Sequence, residues 1–135
     1  MTPILIEIPF DPVAWAAPKL GRGWAYDPRE KDKRAIRFLI GEQYPHAGLL
    51  EGYIQLKFKF ICQPPKSASN KNKLLMLSGE IVPTKSDLTN YQKLYEDCLK
   101  GIIFKDDRNV EIISSQKLYG EKGKVLIEIT NRCKL

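Results

Sequence analysis

The sequence has no apolar run near the roughly 20 residues needed to cross a bilayer, so no membrane span is expected. Its N-terminus lacks a basic segment followed by a long apolar stretch and does not read as a signal peptide. Histidine is almost absent. The single His46 stands in a Tyr-Pro-His loop with no Cys or His beside it. That sets a zinc site aside and leaves a surface-loop histidine. Cysteine is scarce as well: Cys62, Cys98 and Cys133 are odd in number and none pairs at metal-ligand spacing. They read as reduced thiols of a cytoplasmic protein. There is no internal repeat and no low-complexity linker, so residues 1–135 read as one domain.

Acidic residues are the minority charge, 16 against 22 lysines and arginines, for a net charge of +6. Such a balance suggests a polyanionic partner, nucleic acid ahead of an anionic membrane surface. A hydrophobic fraction of 43% excludes a disordered chain. A domain of this length buries a core without disulfide staples.

The pattern of residues predicts the order β, α, β, α, β, β. Residues 3–9, β-rich and bounded by prolines, read as a strand. Residues 10–26 read as irregular and contain Trp15, Lys19, Arg22 and Trp24. Asp27-Pro28 starts a helix over 29–40, stopped by Gly41. Its inner face is Ala35, Ile36, Leu39 and Ile40; Arg29, Lys33, Arg34 and Arg37 form a basic outer face, either solvated or used in binding. Residues 49–62 alternate as a strand with Ile54, Leu56, Phe58 and Phe60 inward. A basic linker leads from Lys66 to a short apolar piece at 74–77 that reads as a possible helix. Ser86-Asp87 opens a second long helix with Leu88, Tyr91, Tyr95, Cys98 and Ile102 on one side and Gly101 at its end. Strands at 109–118 and 124–130 follow, joined by a hairpin connection at 119–123. The expected fold is α+β: one domain, a mixed β-sheet, and two main helices packed on one face.

Two segments carry candidate chemistry, Lys85 to Lys93 and Lys105 to Arg108. A hard cation such as Mg²⁺ takes carboxylate oxygens. Asp87 opens a helix and Asp106-Asp107 precedes a strand, so the carboxylates meet if that strand lies beside the helix. Asp87 is equally a good helix-capping residue, and Asp-Asp before a strand is equally a turn.

The runs Lys-Ser-Asp-Leu-Thr-Asn-Tyr-Gln-Lys (85–93) and Phe-Lys-Asp-Asp-Arg-Asn-Val (104–110) resemble the RusA family of Holliday junction resolvases. The family pattern is roughly Lys-Pro-Asp-x-Asp-Asn-x-x-Lys, a helix, a small-residue turn, then an aromatic and Asp-Asp. Pro18-Lys19 with Arg22, Pro64-Pro65-Lys66-Ser67 and Tyr119-Gly120 extend the likeness over nearly the whole chain. The resemblance implies a homodimeric, Mg²⁺-dependent DNA endonuclease of bacterial or phage origin, with Mn²⁺ able to substitute. Such an enzyme resolves four-way junctions by paired nicks in DNA recombination and repair, at the nucleoid. It makes Asp87, Asp107 and Lys93 the catalytic positions, and Asp87, Asp107 and Asp106 the metal positions. Asn90 matches the family asparagine. In that scheme the ion activates water and polarises the phosphate, while Lys93 steadies the developing charge.

One departure stands out: Thr89 occupies the place of the family's second aspartate. A neutral hydroxyl is a weak Mg²⁺ ligand. The site then works with Asp87, Asp106 and Asp107, or borrows Glu80 or Glu111, or is weakened to a branched-DNA-binding module. DNA contacts are expected from Lys19, Arg22, Lys66, Lys71, Lys73, Lys85 and Lys117. The Lys66–Lys73 stretch reads equally as a solubilising loop. Trp15 and Trp24 either stack on bases or pack in a core or subunit interface.

Overall fold

The structure, a computed structural model, describes residues 3–44 and 48–132. His46 and Cys133 lie outside them. The expected α+β architecture is present. Strands β1 (Ile4–Ile8), β4 (Tyr53–Cys62), β5 (Val110–Tyr119) and β6 (Lys124–Arg132) form one sheet in the order β1-β6-β4-β5. A two-stranded ribbon, β2 (Lys19–Leu20) with β3 (Ala25–Tyr26), lies within the stretch read as irregular. Helices α1 (Glu30–Gln43), α2 (Asn70–Leu77) and α3 (Leu88–Leu99) complete the fold.

β4 and β5 run parallel, and β6 is antiparallel to both β4 and β1. Parallel neighbours need a long crossover, and the segment bearing α2 and α3 is that crossover. The hairpin expected at 119–123 is therefore not one. β4 lies between β5 and β6, and the connection passes over its end, where the Gly120 amide donates to the Cys62 carbonyl at 3.0 Å.

Alternation along the strands decides the core. Ile6, Ile8, Leu56, Phe58, Phe60, Val125, Ile127 and Ile129 point to one side and are buried with Ile36 and Ile40 of α1 and Leu94, Tyr95, Cys98 and Leu99 of α3. Phe60 stacks on Phe58 and on Tyr91, each at 5.4 Å between ring centroids, and tilts against Tyr95 at 5.5 Å. Each such pair adds about 0.5–1.5 kcal/mol to the area it buries. The opposite face is polar, with a Lys57–Glu128 ion pair at 3.4 Å. Burial pushes the Cys98 thiol up to about 12, so it sits in the core as a neutral group.

The strand alternation breaks once. Leu56 pairs with Ile112 and Lys57 with Ser114, which leaves Ile113 as a bulge in β5. An extra residue shifts the period by one. Ser114 and Gln116 consequently line the open face beside Lys57 and Lys59, while Lys117, level with Phe60, comes up on the helix side.

Ala35, expected on the inner face, is exposed, and helix α1 differs from expectation in three further ways. It starts at Glu30; Asp27 caps the preceding turn instead, its Oδ1 accepting from the Arg29 amide at 2.8 Å. It continues past Gly41 to Gln43, whose side-chain amide exchanges two hydrogen bonds with the Glu7 backbone (2.8 and 2.7 Å) and so covers the β1 edge. Its basic residues mostly face inward. Arg29 Nε donates to the Ala14 carbonyl at 2.9 Å and Lys33 pairs with Asp27 at 2.8 Å. Arg37 Nη1 reaches the carbonyls of Asp97, Cys98 and Lys100 at 3.4, 3.1 and 2.7 Å. Arg34 alone of the four is exposed.

Arg37 thus satisfies the orphan carbonyls that every helix leaves at its C-terminus. Arg37→Ala is expected to lower stability by about 1.5–3 kcal/mol, the worth of charged hydrogen bonds. Arg34→Ala should stay within about 0.5 kcal/mol. Urea unfolding of both variants checks this.

Candidate functional site

Each end of α3 carries one of the two acidic segments. At the N-terminal end Asp87 is the N-cap, its backbone carbonyl accepting from the amides of Asn90 and Tyr91 at 3.1 and 3.3 Å. Its carboxylate makes no capping hydrogen bond and is exposed. The helix dipole favours the negative charge there. Lys117, turned inward by the bulge, donates to the Ser86 carbonyl at 3.0 Å. A cavity of about 340 Å³ lies next to this end, bordered by Lys66, Lys85, Cys62, Tyr91 and Tyr119. Burial raises the pKa of both the Cys62 thiol and the Tyr91 hydroxyl, which approach each other at 3.9 Å. Both are neutral polar groups in the wall of the cavity.

Lys93 is exposed on α3, and its ammonium sits 3.6 Å from the centroid of the Trp15 ring. Residues at spacing three and four share a helix side, so Lys93 is aligned with Thr89 and Asn90. A long helical side chain leans toward the N-terminus, the end that bears Asp87.

At the other end, Lys100 Nζ lies 3.6 Å from Asp97 and 3.8 Å from Asp107. Asp106 accepts from the Arg108 amide at 3.0 Å and pairs with its guanidinium at 3.8 Å. Asp107 is exposed. The Asp107 carbonyl accepts from the Val110 amide, at the start of β5.

Asp87 and Asp107 therefore do not meet within the chain. The helix between them has 12 residues, about 18 Å at the rise of an α-helix. The strands agree: Val110 is level with Ile54, whereas Tyr119 is level with Cys62 at the far end, beside the N-terminus of α3. Among the described residues no three His, Cys, Asp or Glu side chains gather so as to hold a metal ion. The convergence expected from sequence fails in a single chain because the parallel β4–β5 pair makes the intervening helix run the length of the sheet.

A family model for the endodeoxyribonuclease RusA matches residues 9–130. The chain belongs to the RusA endodeoxyribonuclease family. A similar relative is the uncharacterized protein YqaN of Bacillus subtilis (strain 168), 33% identical over 94 residues. That match covers 67% of this chain and 66% of YqaN, so the chain spans just under two thirds of that relative's length.

Within the RusA frame, the positive residues expected to touch DNA fall into separate groups. Lys66, Lys85 and Lys117 surround the N-terminus of α3. Lys19 and Arg22 are exposed on the β2–β3 ribbon, and Lys71 and Lys73 ride on α2, which has no buried residue. Of the two replacement acids, Glu111 accepts from Gln55 at 3.3 Å on the helix-free face. Glu80 is exposed in the link between α2 and α3. Trp24 is 63% exposed. Trp15 is partly buried against the core. Sequence reasoning missed Asp11, whose carboxylate accepts from the Gln63 amide at 3.1 Å and which borders the cavity. It also missed the Lys93–Trp15 pairing. No sequence spacing signals either one, since both partners are far apart in the chain.

Glu96 reports on the acidic end. Burial pushes its carboxyl above the usual 4.5; a hydrogen bond with Gln92 opposes this, and Asp107 and Asp97 add to the rise. A carboxyl with a raised folded pKa binds more protons folded than unfolded just above pH 4.5, so stability falls as pH climbs through that window. Glu96→Gln should therefore be the more stable form at about pH 7. Its advantage should vanish at about pH 4, where both states are protonated. Urea midpoints at the two pH values measure it.

Proposed function

We propose that the protein is a divalent-metal-dependent DNA endonuclease that resolves four-way junctions as a homodimer. Mg²⁺ is its ion, with Mn²⁺ able to substitute, and paired nicks in opposed strands are its outcome. It works at the nucleoid of a bacterial cell, or of a phage host, in recombination and repair. The observation that carries this reading is the placing of Lys66, Lys85 and Lys117 around the Asp87 end of α3, with Lys93 further along the same helix, in a RusA-family chain.

The charge distribution suits the substrate. Phosphodiester backbones attract lysine by counterion release, and Lys66 and Lys85 flank a cavity open beside Asp87. Lys93, on the same helix as the Asp87 cap, would supply a point charge to a scissile phosphate as it gains negative charge. A four-way junction has two-fold symmetry, and so has a homodimer.

The acids of one chain do not fit one shared ion. A second copy removes the difficulty. If a two-fold axis sets the two α3 helices antiparallel, Asp87 of one protomer faces Asp106 and Asp107 of the other, and this happens twice. Carboxylate oxygens from both ends then form the set a hard cation takes.

Thr89 supports the second reading, a branched-DNA-binding module with a weakened metal site, because the position lacks the family's charge. Labelled four-way junction incubated with Mg²⁺ separates the two. Paired nicks support the enzyme; a shifted band without product supports the binder; neither result sinks both.

Two further outcomes are expected. Asp87→Asn and Asp107→Asn should each lower cleavage by about a hundredfold or more. Mixed after unfolding and refolding together, they should regain single nicking, since one site per mixed dimer keeps both acids. Lack of recovery would reject the shared site. Lys66→Ala and Lys85→Ala should each weaken junction binding and reduce the slope of log affinity against log salt by about 1. Titrations at several salt concentrations read that slope.

A further inference from the structure

Residues 11–15 form a strap laid over α3, and its polar anchors come from the end of β4, from α3 and from the α1 entry turn. The Asp11 carboxylate accepts from the Gln63 amide just after β4. The same carboxylate fills the space above Gly123, where a Cβ would collide with it. The Val13 amide donates to the Tyr95 hydroxyl at 3.2 Å, deep on α3. The Ala14 carbonyl accepts from Arg29 of the α1 entry turn at 2.9 Å. The Trp15 amide donates to the Asn90 carbonyl at 2.9 Å. These bonds fix the backbone on both sides of one ring, and the Lys93 ammonium rests over that ring at 3.6 Å.

A lysine on an exposed helix face turns about four side-chain bonds and loses considerable freedom when held. The electron-rich face of an indole attracts an ammonium and narrows that freedom without removing its charge or its donors. Among the described residues, no ion pair or hydrogen bond of Lys93 competes with the ring. The anchoring of Trp15 to Asn90 matters as well, because Asn90 lies one turn before Lys93 and one turn from the N-cap Asp87. Helix, strap and ammonium are thus linked through Trp15.

We propose that Trp15 is a positioning residue, which holds the Lys93 ammonium toward the Asp87 end of α3 so that it is ready to meet the scissile phosphate. The inference rests on the endonuclease reading for the role of Lys93, but not for the contact itself. It also gives the indole a role other than stacking on bases.

The contact is tested first, without any variant. In the chain with labelled lysine, the indole ring current should move the Lys93 Hε resonances upfield of the other lysines. An unshifted Lys93 overturns the proposal whatever a cleavage assay returns. The role is tested by a double-mutant cycle on junction cleavage with Trp15→Leu, Lys93→Met and the pair. Trp15→Leu should lower cleavage by about two- to thirtyfold, the span of a cation–π contact between exposed and desolvated sites. Trp15→Phe should recover most of the loss at a melting temperature close to that of Trp15→Leu. In the Lys93→Met background the Trp15→Leu loss should disappear. An equal loss in that background, as base stacking or general destabilisation would give, overturns the proposal. So does a Trp15→Phe variant no better than Trp15→Leu. If Lys93→Met cleaves like the parent chain while the ring-current shift is present, the catalytic reading of Lys93 fails and the positioning role fails with it, leaving only a surface contact.

Discussion

The parallel pairing of β4 with β5 constrains the rest of the molecule. Two parallel neighbours cannot be joined by a tight turn. The chain must return from the Cys62 end of β4 to the Val110 end of β5, and α3 makes most of that journey. Its inward side, Tyr91, Leu94, Tyr95, Cys98 and Leu99, is what the sheet needs for a core. The same geometry assigns each acidic segment to its own pole: Asp87 where the helix begins, Asp106 and Asp107 where the next strand begins.

This separation is electrostatically reasonable for a lone chain. Each pole is neutralised locally in a different way. Asp87 sits in the positive end of the helix dipole with lysines nearby, while Asp107 and Asp97 share Lys100, and Asp106 has Arg108. Arg37 covers the bare carbonyls of the second pole from α1. Gathering all these carboxylates at one point would raise the cost of ionising them. In the dimer proposed above, a divalent ion shared between opposed poles would offset that cost.

The region before α1 shows how a stretch without regular structure gains order from its neighbours. Residues 11–15 make no ladder, yet their polar groups are anchored by α1, α3 and the end of β4. Backbone groups near a core require such partners. The result is an anchored support beneath Lys93, built from residues whose numbers differ by up to 82.

The four strands of the main sheet, α1 and α3, the inward residues of β4 and the family motif were legible from local pattern, whereas the β2–β3 ribbon was not, because alternation, helical periodicity and capping are properties of near neighbours. The basic character of the chain was legible too. Three matters were decided only by the folded chain. The bulge at Ile113 switched the parity of β5 and brought Lys117 to the helix side. The crossover fixed the distance between the two acidic poles. Long-range packing set Trp15 under Lys93 and turned Arg29, Lys33 and Arg37 inward. None of these has a local signature, since each depends on which distant segment occupies the space next to a residue, and that is determined by how the sheet is paired.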